Sequence, residues 1–169
     1  MIIIERISPE TALVFKDVRL RALQDFPTAF SSTYAKESVL PDQEWMKRAV
    51  RWSSEGSAIF LAFDGELGCG VIGSFEEEDP RRAQIVSMWV DPGFRRAGVG
   101  KALIDAVTDW ATSRGVRELK LMVTSVNRGA IAFYQRLGFR MSGKTGPYPN
   151  DPEITEFEMV CALLPAQTL

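Results

Sequence analysis

The chain has 169 residues, 46% apolar and 25% charged, which predicts one globular domain over residues 1–169 with a sizeable core. Lys plus Arg is 20 against 22 Asp plus Glu, and this net charge of −2 speaks against a nucleic-acid binder. The sequence contains no histidine and two distant cysteines, Cys69 and Cys161, which excludes histidine-based nucleophile systems and zinc-type sites, so no metal is expected.

Residues 2–7 predict a short strand, an apolar run too brief for a signal peptide. With no stretch near the ~18 apolar residues of a membrane span, a soluble cytoplasmic protein without membrane partners is expected. Ser8-Pro9-Glu10 supplies a cap, a proline at the first helical position and an acid in the first turn. The helix it opens runs to about Gln24, with Leu13, Val14, Val18 and Ala22 inward, and Asp25-Phe26-Pro27 breaks it. Residues 28–40 carry no clear period. Pro41-Asp42 starts a second helix to about Trp52, bearing Trp45, Met46 and Ala49. Ser57 to Phe63 and Glu66 to Phe75 read as strands around an Asp64-Gly65 hairpin turn. After an acidic loop, Arg82 to Val90 is a third strand of this group, ended by Asp91-Pro92-Gly93.

Gly98 to Arg114 is the clearest helix, with Val99, Leu103, Ala106, Val107, Trp110 and Ala111 on one stripe and Gly115 as terminator. Leu119 to Thr124 predicts a buried strand. Asn127 caps a helix to Leu137, and Gly138 ends it. Two strands close the chain, near Arg140–Gly143 and Ile154–Leu163, with a Gly/Pro-rich loop between. The order β-α-α-β-β-β-α-β-α-β-β describes a mixed α/β sheet flanked by helices.

The chemistry concentrates in Arg95-Arg96-Ala97-Gly98-Val99-Gly100-Lys101, between a strand and a strong helix. Backbone N–H groups at a helix start lack intrahelical partners, and the helix dipole favours an anion there. Glycines let that backbone approach a phosphate, and three cationic side chains match its charge, so the segment reads as a diphosphate-binding turn. It is not a P-loop: Ala102 follows Gly100-Lys101, and Arg95 stands where the upstream glycine belongs. It is not a dinucleotide fingerprint either, because Leu103 occupies the third glycine position. Arg95, Gly98 and Gly100 do satisfy Arg/Gln-x-x-Gly-x-Gly/Ala.

That pattern is the pyrophosphate-binding motif of the GCN5-related N-acetyltransferases, and the chain resembles this family further. Val90-Asp91-Pro92 precedes the motif. Residues 127–139, Asn-Arg-Gly-Ala-Ile-Ala-Phe-Tyr-Gln-Arg-Leu-Gly-Phe, are similar to the family's second signature, Asn-x-x-Ala-x-x-Phe-Tyr-x-x-x-Gly-Phe. The resemblance implies a mostly antiparallel, twisted sheet and acetyl-CoA as donor. It implies direct acetyl transfer to a primary amine of a small molecule or peptide. Many relatives are dimers, so a homodimer is compatible with it.

By the same resemblance, backbone groups of Met88, Trp89 and Val90 would pair with pantetheine. The turn Arg95, Arg96, Gly98, Val99, Gly100 and Lys101 would hold the pyrophosphate. Asn127 would bond the pantetheine arm, with Phe133 and Tyr134 beside it, and Tyr134 would be the general acid to the leaving CoA sulfur. Core packing and helix capping account for the same aromatics and for Asn127 on local grounds. The base stays open: the strand Arg82–Val90 holds no carboxylate, which leaves Glu76, Glu77, Glu78, Asp79, Glu37 or solvent. The acceptor site is expected between the first two helices and the last hairpin, with Phe26, Phe30, Tyr34, Glu37, Trp45 and Tyr148 as wall candidates. The absent strand carboxylate keeps a second reading open, a regulatory module that binds an acyl-CoA and catalyses little.

Overall fold

A computed structural model describes residues 1–165. Its elements in chain order are β1 (Ile2–Arg6), α1 (Ala12–Asp25), α2 (Tyr34–Glu37), α3 (Asp42–Trp52), β2 (Ser57–Asp64), β3 (Leu67–Glu76) and β4 (Arg82–Val90). Then come α4 (Val99–Ser113), β5 (Glu118–Thr124), α5 (Arg128–Arg136), β6 (Arg140–Tyr148) and β7 (Asp151–Ala162). The strands form one sheet in the order β1-β2-β3-β4-β5-β7-β6. All pairings among the described residues are antiparallel except β4 with β5. That parallel pair needs a crossover, and α4 supplies it.

Strand alternation divides the apolar residues between two cores. On one face, Val99, Leu103 and Val107 of α4 pack on Ile72, Leu119 and Leu121. On the other, Phe15, Val18 and Leu23 of α1 and Trp45 of α3 pack on Leu61 and Val71. Gly68 explains how closely α1 approaches: a Cβ there would lie 2.6 Å from Val18 Cγ2 and 2.8 Å from Val14 Cγ1.

The structure departs from the sequence expectations in several places. One turn of 3₁₀ helix, Pro9–Thr11, precedes α1, and the Ser8 N–H donates to Thr11 Oγ1 at 3.0 Å. The buried stripe of α1 is Ala12, Phe15, Val18, Arg19, Ala22 and Leu23, which leaves Leu13 45% exposed. Met46 of α3 is likewise exposed. The expected loop after Gly143 is mostly strand. β6 carries Pro147 because it is the outer strand, where a missing N–H costs no ladder bond. Among the described residues no helix is long and apolar enough to cross a membrane.

Candidate active site

β4 and β5 pair only from Arg82–Gln84 to Glu118–Lys120. Beyond Gln84 and Lys120 the strands part, while β4 stays bonded to β3 and β5 to β7. Main-chain groups on the facing edges are thereby left for a ligand. The gap opens into a cavity of about 980 Å³, and Ile85 to Val90 and Leu121 to Thr124 line it. Gly73 opposes Val86 and Val71 opposes Trp89, so β4 carries one extra residue here. Ser87 stands in this bulge with φ +58°. Arg19 NH1 donates to its Oγ at 3.0 Å and holds it.

The glycine turn forms one end of the cavity. Gly98 caps α4 in the left-handed region, φ +82°, and the Ala102 N–H reaches back to its carbonyl at 3.0 Å. The N–H groups of the first turn therefore stay free of intrahelical bonds. A Cβ on Gly98 would meet nothing, whereas one on Gly100 would lie 2.9 Å from Phe133 Cζ. Gly98 thus serves the backbone, and Gly100 lets α4 approach α5. Arg95, Arg96, Gly98, Gly100 and Lys101 line the cavity. Val99 does not: it is buried in the core under α4.

The three cations differ. Arg96 has φ +64°, and no ion pair or hydrogen bond ties its side chain among the described residues. Lys101 Nζ contacts Asp105 at 2.7 Å. Arg95 folds back, its Nε donating to the Val90 carbonyl at 2.9 Å and its NH2 to Asp25. The Trp89 indole also donates to Asp25, at 2.9 Å. That bond is the main reason the Asp25 carboxyl lies below its ordinary range. Met88 and Val90 line the cavity, as does Trp89, whose buried ring packs in the α1 core.

α5 supplies the opposite wall. Asn127 Oδ1 accepts from the Ala130 N–H at 3.2 Å and starts the helix. Asn127, Phe133 and Tyr134 all line the cavity. Tyr134 is buried between Phe133 and Phe139, and burial pushes its phenol well above its ordinary value of 10.0. No protein group bonds its hydroxyl among the described residues. It remains a proton-bearing donor across neutral pH.

Of the expected wall residues, Phe26 and Phe30 line the cavity, and Tyr34, Glu37 and Trp45 do not. Tyr34 is 40% exposed and borders a separate depression beside Leu13 and Leu20. Trp45 is 0% exposed, edge-on to Phe15 in the core. Glu37 is buried, accepting from Arg19 Nε at 2.9 Å and from Arg48 NH1 at 2.5 Å. It acts on the cavity only through Arg19, a lining residue absent from the sequence reading. Tyr148 ties the last hairpin to the α1–α2 loop by donating to the Phe30 carbonyl.

The acidic loop is also placed elsewhere. Glu76 pairs with Arg114, Glu77 with Lys120, and Asp79 with Arg81 at 3.0 Å. None of residues 76–79 lines the cavity. The carboxylate that does is Glu156 of β7, which sequence reasoning passed over. Its signal was present: Glu156 and Glu158 alternate with Phe157 and Met159.

The model of the Acetyltransferase (GNAT) family matches residues 20–139. The chain belongs to this family. The GNAT match contains the splayed strands, the glycine turn and α5, and it ends before β6 and β7. The chain is similar to N-acetyltransferase 8 of Homo sapiens, 32% identical over 97 residues, which are 55% of this chain and 43% of that protein. The match thus spans less than half of that relative. Among solved structures, a GNAT-family acetyltransferase from Streptococcus pneumoniae aligns at a TM-score of 0.80 and 22% identity, covering 97% of this chain and all of that one. PaiA N-acetyltransferase from Thermoplasma acidophilum, solved in complex with coenzyme A, aligns at 0.77 and 19% identity, covering 96% and 99%. These two likenesses establish a GNAT fold.

Proposed function

We propose that the protein is an acetyl-CoA-dependent N-acetyltransferase that moves the acetyl group directly to a primary amine of a small molecule or peptide. The observation that carries this is the gap between β4 and β5, which opens onto free helix N–H groups at one end and the buried Tyr134 in its wall. The residues fit a CoA thioester. The cavity is lined by both apolar and cationic side chains, Gly98 leaves open space at a helix start, and among the described residues the Arg96 guanidinium is unpaired and available to phosphate.

In this reading the turn Gly98–Lys101 and Arg96 bind the pyrophosphate. Backbone groups of Met88 to Val90 hold the pantetheine arm on one edge, and Asn127 and Phe133 flank it on the other. Arg95 contributes from its bond to Asp25, bracing the end of β4. The donor brings an activated thioester, and Tyr134 gives its proton to the departing sulfur. A phenol held in its neutral form suits that task.

Titration calorimetry with acetyl-CoA, with ATP and NAD as controls, tests the donor half. Saturable binding of acetyl-CoA alone is expected; tight ATP binding without CoA binding overturns the reading. Release of CoA thiol over an amine panel tests the transfer. Tyr134→Phe should lower kcat about 10²–10⁴-fold while acetyl-CoA affinity holds. Unchanged turnover in that variant removes Tyr134 as the acid.

A further inference from the structure

The cavity has two chemically different sides, and strand alternation separates them. Leu119, Leu121 and Val123 of β5 face α4 and α5, where they join the core that includes Tyr134. Met122 and Thr124 therefore face the other way, toward the α1 side of the sheet. Glu156 is the direct cross-strand partner of Thr124, and paired residues share a face. Arg19 of α1 and the bulged Ser87 of β4 meet on that same side. The 3₁₀ turn Pro27–Ala29 and Phe30 cover it, tied down by Tyr148 and by Asn150 Nδ2, which donates to the Phe30 carbonyl at 3.2 Å.

Three features of this chamber point to an amine. Glu156 is the one carboxylate lining the cavity among the described residues. No ion pair or hydrogen bond engages it there, although partial burial raises its carboxyl above the ordinary value. Beside it, the hydroxyl of Thr124 is buried without any partner. The cation on this side, Arg19, already serves Glu37 and Ser87. A partly desolvated, unpaired carboxylate gains from a cationic ligand.

We propose that Glu156 is the catalytic carboxylate that seats the acceptor ammonium and takes its proton. The proposal rests on the acetyltransferase reading. One ammonium proton passes to a Glu156 oxygen, leaving a neutral amine hydrogen-bonded beside Thr124. The nitrogen lone pair then forms the C–N bond to the acetyl carbon. The C–S bond breaks, its electron pair leaves on sulfur, and the Tyr134 hydroxyl protonates that sulfur. The new amide nitrogen sheds its second proton, which restores the phenol by way of solvent, and Glu156 returns its own proton to bulk water. The overall reaction releases one proton. The acceptor class that follows is a cationic alkylamine, entering from the α1 side, opposite the face that carries Tyr134.

The test compares wild type with Glu156→Gln, using putrescine and a glycine-initiated tripeptide as cationic acceptors and methoxyamine as one already neutral at pH 7. Glu156→Gln should lower kcat/KM for the cationic acceptors by about 10²-fold or more. Methoxyamine should lose less than tenfold, and Glu156→Asp should recover part of the rate. Acetyl-CoA affinity and thermal midpoint should match wild type. Equal losses for charged and neutral acceptors, or no loss, overturn the role of Glu156 and leave the acetyltransferase reading standing. No thiol release by wild type with any of these amines overturns both.

Discussion

Gly98 stands at φ +82° with open space where a Cβ would sit, so its identity is required by backbone conformation and not by any neighbour. An L-residue there costs about 1–2 kcal/mol, which the fold tolerates. A carboxylate there would meet the same helix terminus that is proposed to hold phosphate. Gly98→Glu should therefore stay folded, with a small loss in denaturant midpoint, and show no acetyl-CoA binding by calorimetry. Normal binding would place the phosphate site elsewhere. This residue was legible in sequence because its requirement is local, a glycine turn opening a helix. Glu37 and Glu156 were not. Glu37 looked like a wall residue, yet it is consumed by Arg19 and Arg48, partners 18 and 11 positions away. Glu156 sits in an alternating strand, and its function depends on which sheet face borders the cavity.

Element by element, the strong periods were readable and the phases less so. β4 and α4 fall where Arg82–Val90 and the Gly98–Arg114 stripe put them. In α1, Val14, Val18 and Ala22 pack inward as expected and Leu13 does not, while tertiary packing adds Phe15 and Leu23 and buries Arg19 through its bonds to Glu37 and Ser87. The stretch expected to lack a period, 28–40, overlaps the 3₁₀ turn Pro27–Ala29 and holds the single turn of α2, both too short to leave one. The α1–β3 contact was also hidden, although Gly68 marks it. Any side chain at Gly68 must displace Val14 or Val18, so Gly68→Val should cost about 1–3 kcal/mol in chemical denaturation. If α1 shifts, Arg19 shifts with it, and the variant should lose turnover beyond its loss of stability. A Gly68→Val protein with wild-type stability would show that α1 is held elsewhere.

For the whole molecule, the decisive feature is where pairing stops. Seven strands make a continuous sheet, and β4 and β5 are joined over three residue pairs before they separate. Each keeps its outer neighbour, so the opening costs no ladder bonds on the far edges. The strand patterns alone do not show this splay, since it is a relation between two strands and each strand alone looks ordinary; only the family resemblance put free backbone groups at Met88, Trp89 and Val90. A ligand that completes the edges should bind the folded state only, and at 100 times its Kd it should add about 2.7 kcal/mol of stability. The added protection should not be uniform. Hydrogen exchange with and without acetyl-CoA should slow at residues 85–90, at the free N–H groups of 98–101 and at the start of α5. The β1–β2 ladder, remote from the gap, should exchange as before. ATP at the same concentration should change none of these rates. Protection spread evenly over the sheet, or centred on the α3 side, would mean that the cofactor does not enter between β4 and β5.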